Sequence, residues 1–311
     1  MEVSPIFWVI FCIIIVVMLA LDLGVFNKKS HEIKLKEALS WVAVWVSLAM
    51  IFNLIILFQF GKTKALEFLT AYVIEYSLSI DNIFVFIMVF SFFSVRKEYQ
   101  HKVLFWGILG AVIMRAIFIF AGVALINKFH WIVIVFGVFL VFTGLKMLLQ
   151  KEEAKVEPEK NGLVRLLKKF LPVSDHFHGS SFFVKKEGKT YATPLFVVLL
   201  IIESTDLIFA VDSIPAVLAI SKDTFIVFTS NIFAILGLRS LYFAISGIMG
   251  LFRFLKIGLA LVLTFVGLKM LAAFFDFEIP VTISLSVIIS ILLLSILASL
   301  IIKKGDSTSV M

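Results

Sequence analysis

Cysteine is nearly absent, proline is scarce at six residues, and only 16% of the 311 residues are charged. The lone Cys12 excludes a disulfide framework or a thiolate metal site within one chain, and inside an apolar run it reads as a small core residue. The shortage of charge, with 61% hydrophobic residues and a mean hydropathy of +1.11, excludes an ordinary soluble domain. A cleavable leader is also missing from the reading. Glu2 stands where a signal peptide carries basic residues, and no small-residue cleavage site follows the first apolar run, Pro5 to Phe26, so that run is expected to be retained.

What the sequence has is long apolar runs. Nine segments are long enough to span hydrocarbon: 4–26, 40–60, 66–94, 102–126, 129–150, 192–221, 224–248, 253–276 and 279–302. The expected fold is an all-α membrane protein of nine transmembrane helices forming one domain, 1–311. The net charge of +7 raises the question of nucleic acid, which the placement of the bases answers. With the N-terminus outside, cytoplasmic loops and tail hold 20 basic residues, against Lys62, Lys64, Lys128 and Lys222 outside. The positive-inside rule therefore orients the chain N-out and C-in, with the lipid bilayer rather than nucleic acid as its partner.

Residues 151–191 form the one sizeable loop, expected to be cytoplasmic. Its start, Lys151 to Lys160, is too charged to pack. Leu163 to Leu171 reads as a short basic amphipathic helix on an anionic leaflet, and Phe182 to Tyr191 as a hairpin turning at Glu187-Gly188. Asp175, His176 and His178 would make at most a weak metal site, and such loop clusters are ordinarily solvated.

An internal repeat organises the rest. Phe142-Thr-Gly-Leu-Lys-Met-Leu148 recurs as Phe265-Val-Gly-Leu-Lys-Met-Leu271, Asp81-Asn-Ile-Phe84 aligns with Asp206-Leu-Ile-Phe209, and Arg115 aligns with Arg239. The offsets, 123, 125 and 124, are nearly constant. Repeat one covers 66–150 and repeat two 192–276; each has three spans, an odd number, so the repeats are expected to be inverted, a geometry found mainly in transporters. Lys146 and Lys269 then lie toward opposite surfaces, as snorkelling anchors or as gating residues.

Seven charges lie too deep to snorkel: Glu75, Asp81, Arg115, Glu203, Asp206, Asp212 and Arg239. Each costs roughly 3 kcal/mol at mid-membrane if unpaired, so they are expected to face inward. Five acids against two arginines cannot balance as ion pairs. Arg115 and Arg239 read either as helix-to-helix ties or as substrate contacts, while the surplus acids call for a bound cation or for protons. Glu75 and Asn82 fall within about 20° of one another on a helix, with Ser79 close by. Asp81 and Asp206 would approach across a pseudo-two-fold axis. Pro215 is expected to kink or break its helix, freeing the Val211 carbonyl beside Asp212, although a packing kink is the plainer reading. The site should then be weighted toward the 192–221 span, because Ile87 stands opposite Asp212 in the other repeat.

The candidate ligands, with Ser213 and Asn231, are all oxygen donors, and the five histidines lie in loops or at helix ends. A hard cation, Mn2+, Mg2+ or Ca2+, fits better than Zn2+ or Cu+. Asp22, near the cytoplasmic end of the first span, reads as a vestibule acid at the mouth of a pathway or as a snorkelling residue. The deep polar residues include no His or Cys nucleophile pair, so an enzyme is not expected.

These residues lie in long mixed motifs: Leu21 to Phe26, Glu75 to Phe86, Tyr99 to Gly107, Glu203 to Pro215 and Thr229 to Arg239. Together they resemble the TerC family of integral membrane proteins, named for tellurium resistance, and within it the Alx-like members. The resemblance spans residues 21 to 271. It implies a Mn2+ efflux protein of the bacterial inner membrane, relieving manganese stress at alkaline pH, with Mn2+ as substrate, no organic cofactor, and the two acidic motifs as metal site. Proton exchange at the carboxyls would couple the transport. Two other readings are an oxyanion transporter using Arg115 and Arg239 for tellurite, and a non-transporting membrane partner that metallates exported proteins.

Overall fold

Hydrocarbon offers no partner to backbone amides, so each apolar run satisfies its own by becoming helical. The computed structural model describes residues 4–24, 35–129, 131–149, 162–174, 176–186, 188–246, 254–275, 277 and 279–301; of these, the side chains at 19–24, 81, 163, 167, 168, 170 and 212 are not described. The helices are α1 (Pro5–Gly24), α2 (Leu35–Phe60), α3 (Lys62–Phe92), α4 (Lys97–Lys128), α5 (Ile132–Leu149), the short α6 (Gly162–Phe170), α7 (Pro194–Leu218), α8 (Thr224–Leu236), α9 (Leu238–Ser246), α10 (Leu255–Phe274) and α11 (Val281–Ile301). The protein is an all-α membrane protein. Eight spans among the described residues are long and apolar enough to cross a membrane, with α8 and α9 together forming one of them. The apolar part of α1, Pro5–Met18, is shorter.

The loop between α6 and α7 holds the expected hairpin, with β1 (Phe183–Lys186) antiparallel to β2 (Lys189–Ala192). The loop's opening, 151–161, and Asp175 lie outside the described residues.

The segment ends differ from expectation in three informative places. Gly61 alone separates α2 from α3, at φ 85°, a conformation that suits glycine, so Lys62 and Lys64 belong to the first turn of a helix and not to a loop. Pro215 does not break α7, which runs on to Leu218. A proline so near the end removes one backbone bond from a helix that is about to stop, and the Ala219 amide already bonds to the Pro215 carbonyl. The interruption falls instead at Gly237, between α8 and α9.

α8 is the centre of the bundle: eleven of its thirteen residues are buried, among them Thr229, Ser230 and Asn231. Around it pack α2, α3, α4 and α9, with α1 outside. Phe11, Phe52, Phe225 and Phe233 interlock there, the Phe52 and Phe233 centroids 4.9 Å apart. Large exposed apolar residues such as Val9, Ile55, Phe142 and Leu294 are spread over the outer helices, a surface suited to lipid.

α5 and α10 approach most closely, and glycine permits it. A Cβ at Gly144 would meet the Ala260 carbonyl at 2.7 Å and the Thr264 amide at 2.8 Å; one at Gly267 would meet the Gly137 carbonyl and the Val141 amide, both at 2.8 Å. As one residue number rises the other falls, so the two helices run antiparallel. The contacts also interchange under the repeat offset of 123, since 144 becomes 267 while 260 becomes 137 and 264 becomes 141.

Gly144→Leu and Gly267→Leu should each force these helices apart, destabilising by about 1–3 kcal/mol or more. Thermal unfolding in detergent should show a lower Tm for both, and none for Gly162→Ala, where a Cβ meets nothing within 4 Å.

Candidate functional site

Three helices bring charge to one point inside the membrane domain. On α3, Glu75, Ser79 and Asn82 sit at i, i+4 and i+7 and so share a face. α7 supplies Asp206 and Ser213, and α4 supplies Arg115. Glu75 is 0% exposed, Arg115 1% and Asp206 3%.

The Arg115 guanidinium is the hub. Its Nη2 donates to Asp206 Oδ1 at 3.1 Å and its Nε to Asp206 Oδ2 at 3.3 Å, the two-pronged geometry that matches a guanidinium to a carboxylate. Nη1 makes the ion pair with Glu75 Oε1 and reaches Ser213 Oγ at 3.4 Å. From α3, Asn82 Nδ2 donates to Asp206 Oδ1 at 3.2 Å. Asp206 thus meets Asn82 and Arg115; the side chains of Asp81 and Asp212, expected to join it, lie outside those described.

Glu203 is one helical turn before Asp206, partly exposed, and without an ion pair among the described residues. It faces α4 at Gly110, where even a Cβ would collide with both carboxylate oxygens. Glycine at 110 is what lets the carboxylate approach α4. Around Arg115, then, two carboxylates share one guanidinium, leaving one negative charge, and Glu203 stands one turn away against Gly110.

Beside this cluster is a cavity of about 50 Å³, lined by Glu75, Asn82, Arg115, Ser213 and Thr143, with Leu263 of α10. It is roomy enough for more than one water or for a partly hydrated ion. Several buried oxygens on the same face of α3 lack a hydrogen bond among the described residues: Glu75 Oε2, Ser79 Oγ and Asn82 Oδ1. Left unsatisfied, each costs about 1–3 kcal/mol. Both amide atoms of Asn231 on α8 are likewise buried without a hydrogen-bond partner among the described residues. Among the described residues no three of His, Cys, Asp and Glu converge as a ready-made metal cluster. The donors that do converge are two carboxylates with amide and hydroxyl oxygens.

The remaining candidates fall elsewhere. Arg239, 4% exposed, begins α9 and donates to His101 Nε2 at 3.1 Å, while Tyr242 donates to Gln100 at 2.8 Å. His101 precedes Arg115 by fourteen helical positions, roughly 21 Å along α4, so the two arginines occupy different levels of the bundle. Lys146 is exposed in the last turn of α5, as an anchor would be. Lys269 is not its mirror image: it is 7% exposed, because α10 carries it beneath α3. The side chain of Asp22 lies outside those described. In the loop, His178 Nε2 meets Ser174 Oγ at 3.1 Å, and Ser174 donates to the His176 carbonyl, so this turn is tied by a serine.

Thr143 and Gly110 were not singled out in the sequence. The signal for Thr143 is the single mismatch in the seven-residue repeat, where Val266 stands in its place.

A family model described as the integral membrane protein TerC family matches residues 60–307. An uncharacterized membrane protein of Myxococcus xanthus is 51% identical over 98% of this chain and 95% of its own. Proteins named "Putative membrane-bound redox modulator Alx" are 46% identical in Salmonella typhi and 45% identical in Escherichia coli K12, each covering 94% of this chain and 93% of the relative. No solved structure matches. With the family match extending over all the helices that build the Arg115 cluster, the chain belongs to the TerC family of integral membrane proteins.

Proposed function

We propose that this chain carries a hard divalent cation across the membrane through the site around Arg115, and that the cation is Mn2+, exported from the cytoplasm across the bacterial inner membrane. The observation behind this reading is a local excess of one negative charge, two carboxylates on one guanidinium, beside a cavity whose free donors are oxygens. A dication supplies the missing charge and satisfies the Glu75, Ser79 and Asn82 oxygens at once. Oxygen chemistry alone leaves Mn2+, Mg2+ and Ca2+ open; Mn2+ rests on the family resemblance. The N-out, C-in orientation rests on the distribution of basic residues, and proton coupling on carboxyls that exchange metal for protons.

The interchange of contacts between α5 and α10 favours two inverted repeats, since antiparallel equivalents meeting in this way surround a two-fold axis. Asp206 also lines a second, smaller cavity of about 10 Å³ with Gly107, Ala111 and Leu238. On this reading the Arg115–Asp206 pair separates two compartments, and rocking of the repeats connects them in turn.

The oxyanion alternative is disfavoured by geometry, because the Arg115 nitrogens are already engaged by two carboxylates and a serine. A thiol–disulfide version of the redox role in the relatives' name would require Cys12, exposed on α1, to pair with another chain.

Proteoliposomes containing the wild-type chain should show Mn2+ flux, and Glu75→Gln and Asp206→Asn should each lower it at least tenfold. Unchanged flux in both variants would end this reading. Arg115→Met should destabilise the protein by about 3–5 kcal/mol, because it strands two buried carboxylates. Adding Glu75→Gln to that variant should recover part of the loss, measured as Tm in detergent.

A further inference from the structure

A second polar cluster lies where α3 begins and α7 passes into α8. Lys64 Nζ donates to Glu67 Oε2 at 2.7 Å and stands 3.8 Å from Asp223 Oδ2. Ser221 Oγ donates to the same Glu67 oxygen at 2.5 Å. Asp223 uses Oδ1 to cap α8, accepting from the Phe225 and Ile226 amides at 3.1 and 3.4 Å. Among the described residues its Oδ2 has no hydrogen bond, although the side chain is only 5% exposed. On α10, Lys269 is buried, makes no hydrogen bond or ion pair among the described residues, and lies within electrostatic reach of Glu67.

Two features point to a ligand. The Asp223 oxygen needed for the cap is Oδ1, which leaves Oδ2 buried and facing an ammonium too distant to bond. Lys64 is also the most exposed charged member, at 24%, on a flexible stem that can swing outward, whereas Glu67, Asp223 and Lys269 are held in place. With Lys64 in, two lysines balance two acids. With Lys64 out, carboxylate oxygens from α3 and α8 and the Ser221 hydroxyl face one vacated position, and the local charge falls to −1.

We infer that this cluster is a second divalent-cation site, in which the Lys64 ammonium holds the place of the ion when no ion is there. The Lys269 amine lies behind it within electrostatic reach of Glu67, and when charged it keeps affinity low, as suits a site that releases its ion. The inference rests on the proposed cation transport and, in the N-out orientation, puts the release site at the outer mouth.

Mn2+ binding to the full chain in nanodiscs, followed by loss of the free-Mn2+ electron paramagnetic resonance signal, tests it. Lys64→Met should add one bound Mn2+ with at least tenfold tighter affinity than this site shows in wild type, and Lys64→Arg should not. Adding Glu67→Gln to Lys64→Met should abolish the gain, whereas adding Asp206→Asn should leave it intact. An unchanged isotherm for Lys64→Met, or a gain that survives Glu67→Gln, overturns the inference. In the wild-type chain, millimolar Mn2+ should raise acetylation of Lys64 several-fold by mass spectrometry, and equal labelling with and without Mn2+ overturns it too. The readout is binding, so absence of flux with this gain present would sink the central transport reading and leave this site standing.

Discussion

A guanidinium only 1% exposed in a membrane domain is tolerable only if the protein surrounds it with acceptors, and Arg115 is surrounded from two other helices. That requirement fixes which faces of α3, α4 and α7 turn inward. Asp206 is held in two prongs, Glu75 closes on the third nitrogen, and Asn82 steadies the aspartate from α3. The helices cannot rotate appreciably without stranding a charge. The cluster exceeds a one-to-one tie, because two carboxylates engage one guanidinium.

The two halves of the chain share their landmarks and diverge at the cavity. At the repeat offset of 125, Glu75 and Asn82 correspond to Leu200 and Leu207, and at 123 Thr143 corresponds to Val266. The polar wall is therefore built mainly on α3 to α5, with Asp206 and Ser213 supplied across the interface by α7. The arginines follow the same division, Arg115 among carboxylates and Arg239 against His101. The segments that carry the shared motifs meet at Gly137, Gly144 and Gly267, and the polar side chains of the cavity are concentrated in one of them.

The spans were legible because hydrocarbon sets their length, and the burial of Glu75, Arg115, Asp206 and Arg239 because lipid makes unpaired charges too costly to retain by chance. The pairing of Arg115 with Asp206 was not, since residues 91 apart in sequence meet through interhelical geometry that no periodicity encodes. Pro215 misled for a local reason: the bond it removes matters less one turn from a helix end. Gly237, where the interruption does fall, looks in sequence like any glycine that an apolar helix accommodates. Glu67 drew no reading from the sequence; a first turn that begins directly after Gly61 makes it an inward-facing partner of Lys64.

Charge is handled alike at two levels of the bundle. In the middle, Arg115 sits between Glu75 and Asp206; at the end where α3 begins, Lys64 sits between Glu67 and Asp223. In each case a tethered cation occupies the ground between carboxylates that come from different halves of the chain. The difference lies in the tether. Arg115 is planar, engaged on three nitrogens and buried, so displacing it requires the helices themselves to move, whereas Lys64 is partly exposed and can leave by rotating its own side chain. On the transport reading the middle level therefore answers to motion of the repeats, and the end level answers to the ion.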